Sequence, residues 1–234
     1  MRRRALSLTV ALLVVSCSSW RIHPGLVGEA CPRTPIANGM KISAGGEATD
    51  RAIVFVHGFT ANLESFLPWA CLIQREQASA LTRYDLLLFQ YPTALVGCPE
   101  TLDSAANALE YFLGQAELSR YREVLFVAHS FGGLVTLRYA MNVWSSGHRD
   151  VLQGGKILLL GVPLDGAALA KWGRMLSCQA AAAHIGSEEL TKLRSDLVTA
   201  LTRPGREARP ADTSIEIHSL VAAGDEIRTG TWYR

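Results

Sequence analysis

Residues 124–135 read VLFVAHSFGGLV: an apolar run that closes on His129 and Ser130, then Gly132 and Gly133, then apolar residues again. A short continuous apolar run bounded by turn residues is the pattern of a strand covered on both faces. The residues from Ser130 to Trp144 carry helical spacing. Strand, sharp turn and helix, with Ala128-His129-Ser130-Phe131-Gly132 across the turn, match the spacing of a nucleophile elbow in which alanine replaces the first glycine. Such a turn strains the serine backbone, and small residues two positions before and after it let strand and helix approach. Ala128 is small enough, and Gly133 adds room. A serine N-cap followed by packing glycines gives the same string, so the placement between strand and helix is what gives the pattern weight.

Outward from this stretch, apolar runs and helical spacings alternate. Strands are predicted at 52–58 (AIVFVHG), 85–91 (DLLLFQY), 123–129 (EVLFVAH), 156–162 (KILLLGV) and 214–223 (SIEIHSLVAA). Helices are predicted at about 63–80, 101–119 and 130–144. Helical crossovers between apolar strands make a mostly parallel sheet with helices on both faces. The helix at 101–119 is the clearest: Leu102, Ala105, Ala106, Leu109, Phe112, Leu113 and Ala116 recur on one face, and Thr101 stands where a cap belongs. After Val162 the regularity weakens. The stretch from about 163 to 212 holds a helix with Leu190, Leu193, Leu197 and Leu201, opened by Gly186-Ser187, and reads as an insertion lying over one end of the sheet as a cap.

A serine that attacks a carbonyl needs N–H groups aimed at the oxyanion that develops. The Phe131 amide is one, at a helix start where unpaired N–H groups and the helix dipole favour negative charge. VFVHGFTAN (54–62) offers the other: Gly58 allows close backbone approach and leaves the Phe59 amide as donor, with His57 positional rather than a base.

The order VFVHGF, LLLFQYP, LFVAHSFGGLV and ILLLGVP resembles the α/β-hydrolase fold, and within it the serine lipase and esterase group that includes inositol-deacylase-like enzymes and bacterial lipases. The likeness covers about 52–227. QAAAAHIGSEEL (179–190) resembles a phrase of that group, in which a glutamine and a Gly-Ser pair precede a leucine-rich cap helix. The resemblance implies a three-layer α/β-hydrolase domain over 51–234 and hydrolysis of carboxylic esters, often lipids, through an acyl-enzyme on Ser130 with no cofactor. SLVAAGDEI (219–227) resembles the group's strand, turn and acid segment. That implies Asp225 as the residue holding the catalytic imidazole, with Glu226 as alternative and a solvated turn as the plain reading.

In this fold the base follows the acid, yet the nine residues after Asp225 contain no histidine. His23 lies in the lead-in, His57 at a strand end, His148 in a loop, His184 in the cap and His218 in a strand. His129 is expected to point away from the nucleophile. Two readings stay open: a sequence that stops before the last strand, helix and histidine of the fold, or a catalytically inactive relative that binds an acyl ligand or partner. Without a last strand, SIEIHSLVAA is expected to stand as an open sheet edge. An acyltransferase shares the same residues.

The chain's 234 residues, 49 % hydrophobic and 19 % charged, are enough for one domain with a sizeable core. Arg2, Arg3 and Arg4 precede an apolar stretch from Ala5 to Val15, the layout of a secretory signal over 1–16, too short to span a bilayer. Val14-Val15-Ser16-Cys17 resembles the lipobox of bacterial lipoproteins. That implies an acylated Cys17 and a membrane-anchored protein facing the periplasm, with Ser18 fitting sorting to an outer membrane. A plain signal with a chance cysteine is the alternative, and Arg3-Arg4 fits twin-arginine export or an ordinary basic leader. Residues 17–50, rich in proline and glycine, read as tether and lead-in. Removing 1–16 leaves 20 basic against 21 acidic groups, so no basic patch argues for nucleic acid. Cys31, Cys71, Cys98 and Cys178 would meet an oxidising compartment. Their pairing is not legible from spacing, and Cys71, inside an apolar helix, reads equally as a buried thiol. No CxxC or His/Cys cluster points to a metal.

Overall fold

The computed structural model describes residues 31–43, 49–75, 83–147, 155–167, 175–202, 216–223 and 226–232. Eight strands form one sheet: β1 (Thr34–Ile36), β2 (Gly39–Ile42), β3 (Arg51–Val56), β4 (Asp85–Phe89), β5 (Glu123–His129), β6 (Lys156–Leu160), β7 (Glu216–Ala223) and β8 (Glu226–Trp232). Their order is β1-β2-β4-β3-β5-β6-β7-β8. The five from β4 to β7 run parallel, and β1, β2 and β8 pair antiparallel at the edges. The helices are α1 (Leu67–Arg75), α2 (Leu102–Gln115), α3 (Phe131–Ser146), α4 (Cys178–Ala182) and α5 (Glu188–Thr202).

The apolar runs become central strands because both their faces meet side chains. Every residue of β4 is buried, and its neighbours on the two faces differ. Leu87 and Phe89 join Val54 and Val56 against α2 and α3, while Leu86 and Leu88 join Ile53 and Phe55 against Ala70 and Cys71 of α1. The sheet is thus the middle of three layers. Thr101 caps α2 as its sequence predicts, its hydroxyl accepting from the Ser104 amide while Ser104 answers to the Thr101 amide. At the sheet's far end, buried Asp85 accepts from Lys41, Arg120 and the Tyr121 hydroxyl, which pins β2 and the start of β5 to β4.

Four features depart from the sequence expectations. The lead-in is not all tether, because Thr34–Ile42 folds as a hairpin that extends the sheet. Its turn carries Asn38 at φ 60 before Gly39, the Asn-Gly signal of a tight hairpin. The strand at 216–223 is not the open edge expected of it, since β8 pairs antiparallel with β7 from Ala223–Glu226 to Ile217–Trp232. The leucine helix α5, expected in a cap over one end of the sheet, packs on α3. Leu190 and Leu193 enter the same core as α3, and Arg138 of α3 bridges Asp196. Ser187 caps that helix by accepting from the Leu190 amide. Finally, β5 alternates buried and half-buried residues, as α1 packs over β2, β3 and β4 on that face.

All four later cysteines are bonded. Cys31–Cys71 fastens the lead-in to α1, and Cys98–Cys178 fastens the loop after β4 to α4. Beside the second bridge the two segments are laced together. Gly97 N–H donates to Leu176 O at 2.6 Å, the Ser177 hydroxyl to Ala94 O at 3.0 Å, and Gln179 Nε2 to Pro92 O at 2.9 Å. Gln179 is fully buried, and its Oε1 accepts from the Ala94 amide. The bridges close loops of 40 and 80 residues, so each limits the unfolded chain enough to contribute about 4 kcal/mol by chain entropy. The paired change Cys98→Ser with Cys178→Ser is expected to lower the urea-unfolding free energy by that order while leaving the circular-dichroism spectrum native.

Candidate active site

Ser130 occupies the one residue between β5 and α3, at φ 51 and ψ −125. A positive φ is uncommon for a residue with a side chain and costs about 1–3 kcal/mol. Bonds on both sides hold it there. Its amide donates to Leu160 O at 2.9 Å across the neighbouring strand, and its carbonyl accepts from the Gly133 amide at 2.9 Å. No hydrogen bond joins its hydroxyl to another described residue, and the residue is partly exposed.

The glycines around it are contact sites. A Cβ on Gly132 would lie 2.2 Å from His57 O and 2.6 Å from Val56 O, so the first turn of α3 lies directly on the backbone at the end of β3. A Cβ on Gly133 would meet Val162 at 2.1 Å. A Cβ on Gly58 would sit 3.0 Å from Ser130 Cβ and 2.9 Å from His129 Nδ1. The Gly58 backbone therefore backs onto the serine itself. Ala128, the small residue two positions before the serine, is fully buried.

His57 is buried, and both its ring nitrogens are engaged. Nδ1–H donates to Gly58 O at 3.0 Å, and Nε2 accepts from the Tyr91 amide at 3.3 Å, which defines a neutral ring. Tyr91 stacks on it with centroids 4.4 Å apart, and the Tyr91 hydroxyl donates to His57 O at 2.8 Å. Burial is the largest influence on the imidazole and lowers its pKa from the ordinary 6.5 to about 4, against the opposing bond to Gly58. His57 therefore positions the loop and has no lone pair left to take a proton. Further bonds fix that loop: the Thr93 hydroxyl donates to Ala61 O, and Gln90 Oε1 accepts from the Leu63 amide. Phe59, half-buried against the core, and Phe131, buried at the first position of α3, both present amides with no backbone acceptor among the described residues.

The sequence reading thus places Ser130, Gly58, Phe59, Phe131 and Gly132 in one corner of the molecule, at the ends of β3 and β5. Asp225, Cys17, His23 and His148 lie outside the described residues. Glu226 opens β8, His218 lies in β7 opposite Leu158, and His184 follows α4, bridged to Ala167. His129, half-buried, does not simply turn away from the site, because its Nδ1 lies toward Gly58. Burial lowers its pKa as well. Tyr91, Thr93 and Gln90 were missed as supports of the loop. The QYPT segment after β4 carried the sign of them, polar residues directly behind an apolar run. Among the described residues no three His, Cys, Asp or Glu side chains converge as a metal site would require.

This chain belongs to the alpha/beta hydrolase family, whose model matches residues 53–213. Phospholipase PlaB of Legionella pneumophila shares the fold with a TM-score of 0.52 at 18% identity, over 73% of this chain and 38% of that one. The chain thus spans about two fifths of that protein's length. The mature form of Bacillus licheniformis lipase BlEst2 aligns over 72% of this chain and 66% of that one, at 15% identity and a TM-score of 0.48. At these identities the likeness is one of fold. No curated protein matches the sequence.

Two outcomes check this geometry. Gly132→Ala forces a methyl group into two backbone carbonyls and is expected to destabilise by about 2–3 kcal/mol in urea unfolding. Gly114→Ala, in open space near the end of α2, is neutral or stabilising by up to about 1 kcal/mol. Above about pH 6.5, His57 is neutral in both folded and unfolded chains. Between about 6.5 and 4 only the unfolded chain takes up the proton, so stability falls with pH through that window and this contribution levels off below it. The full effect is about 3 kcal/mol. His57→Gln is expected to lose stability at pH 7 and to show a shallower fall between 6.5 and 4; an unchanged slope contradicts the buried neutral ring.

Proposed function

We propose that this protein is a serine hydrolase that cleaves carboxylic esters through an acyl-enzyme on Ser130. The observation that carries the reading is the Ser130 backbone itself. A non-glycine residue is held at φ 51 between a parallel strand and a helix start, with its Cβ against Gly58. Strain of this kind persists only where the surroundings over-determine it, and it concentrates at functional sites. In the proposed reaction Ser130 Oγ bonds to the acyl carbon and its proton passes to a base. The oxyanion accepts from the Phe59 and Phe131 amides, two donors fixed before the substrate arrives. Collapse breaks the bond to the alcohol, which leaves with the proton, and water repeats the sequence on the acyl-enzyme. Asp225 is the proposed acid that orients the base. The substrate class is a small or lipid ester, and an alcohol in place of water would make the same site an acyltransferase.

The same reading takes residues 1–16 as an export signal and Cys17 as a lipid-modified anchor on a bacterial membrane, facing the periplasm. Two cystine bridges among the described residues support an oxidising compartment. A second reading, a binding protein with the same corner and no turnover, has one observation in its favour: His57, at the end of the neighbouring strand, has both ring nitrogens engaged.

A fluorophosphonate probe separates the two. The hydrolase reading expects covalent labelling, mapped by mass spectrometry to Ser130 and abolished in Ser130→Ala, with ester turnover in that variant reduced by about 10³-fold or more. A folded protein that takes no label supports the binding reading.

A further inference from the structure

The loop after β4 and the segment entering α4 carry the most exposed apolar side chains near the site. Leu95 is 54 % exposed, Val96 69 %, Met175 90 % and Leu176 56 %. Exposed apolar residues are ordinary when scattered, but these are contiguous. The Gly97–Leu176 hydrogen bond, the Gly97–Ser177 bridge and the Cys98–Cys178 disulfide hold the two pairs side by side as one ridge. Ile185, 53 % exposed, lies at the far end of the same laced segment. The ridge grows from the end of β4 that also delivers Tyr91 and Thr93 to the His57 loop, so it stands on the same rim of the sheet as Ser130.

Its chemistry narrows the occupant. No lysine, arginine, aspartate or glutamate occurs from Tyr91 to Pro99 or from Met175 to Ser187, so the two stretches that form the ridge offer chiefly hydrocarbon to a partner. A disulfide and the hydrogen bonds between the two segments fix the ridge in place, which removes the ordering entropy that an apolar loop gives up on inserting. No helix among the described residues is long and apolar enough to cross a membrane, so contact would be at a surface. The chain outside the described residues supplies the last argument. From Cys17 to Cys31 is fourteen residues, a reach of about 50 Å when extended and about 20 Å when relaxed. With Cys17 acylated as proposed, a domain on so short a leash stays at the bilayer, and one apolar contact is enough to set which face it shows.

We infer that the ridge of Leu95, Val96, Met175 and Leu176 docks this domain on a lipid surface and turns the Ser130 corner toward the lipid. The occupant rests on the proposed Cys17 anchor, while the contact itself does not require it. Its test uses the chain from residue 17 with Cys17→Ser, which leaves the ridge as the attachment. Partition onto phosphatidylcholine vesicles, and onto vesicles with added phosphatidylglycerol, is measured by co-sedimentation.

Val96→Asp with Met175→Asp is expected to weaken partition by about a hundredfold on both vesicle types, with unchanged thermal melting and unchanged turnover of dissolved p-nitrophenyl butyrate. Val96→Ser with Met175→Ser, which adds no charge, lowers partition in the same direction and by less. Partition unchanged in both variants overturns the inference. So does a wild-type dimer that the substitutions dissociate without altering partition, since the ridge is then a contact between two copies. Partition lost in a protein that turns over no ester leaves the docking surface standing and removes the hydrolase reading alone.

Discussion

The fold turns on a contact between two backbones. The first turn of α3 rests on the carbonyls of Val56 and His57, at a distance that excludes even a methyl group on Gly132. That contact fixes how steeply the chain bends after β5, and the bend puts Ser130 at positive φ. The strain at that one residue is small beside the packing that enforces it: the Ser130 amide is spoken for by Leu160, and the core residues Phe131, Leu134 and Val135 follow directly. Relaxing the serine would mean moving a buried helix.

A second layer of support lies behind the first. His57 is a histidine used as a spacer: neutral, stacked on Tyr91, with one nitrogen donating and the other accepting. The Gly58–Phe59 backbone is consequently held by the chain's own β4 loop, and that loop is stapled through Cys98–Cys178 to the segment opening α4. Elements far apart in sequence therefore share the task of keeping the corner rigid. The apolar ridge is the outer end of the same chain of contacts.

Much of this was legible in the sequence. The strands at 123–129 and 85–91, the capped helix after Thr101 and the strand-to-helix bend at Ser130 follow from hydrophobic runs and turn chemistry, which act over a few residues. The hairpin at Thr34–Ile42 carried its Asn-Gly signal in a stretch dominated by proline and glycine, and the composition masked it. β8 escaped notice because GDEIRTGTW is short of apolar residues, and its pairing comes from adjacency to β7 rather than from its own pattern. The cystine pairs, the role of Tyr91 and the seating of α5 on α3 depend on contacts across 34 to 80 residues. Those distances are set by the folded sheet, which no local spacing encodes.

The central claim is that the strained Ser130 presents its hydroxyl to two amides fixed in advance. A crystal structure of the protein treated with a phenylboronic acid measures this directly. The account predicts a tetrahedral boron on Ser130 Oγ, with one boronate oxygen about 2.7–3.1 Å from both the Phe59 and Phe131 nitrogens and with the Ser130 φ still positive. A boron adduct whose oxygens avoid those two nitrogens, or a Ser130 relaxed to a helical φ, would contradict it.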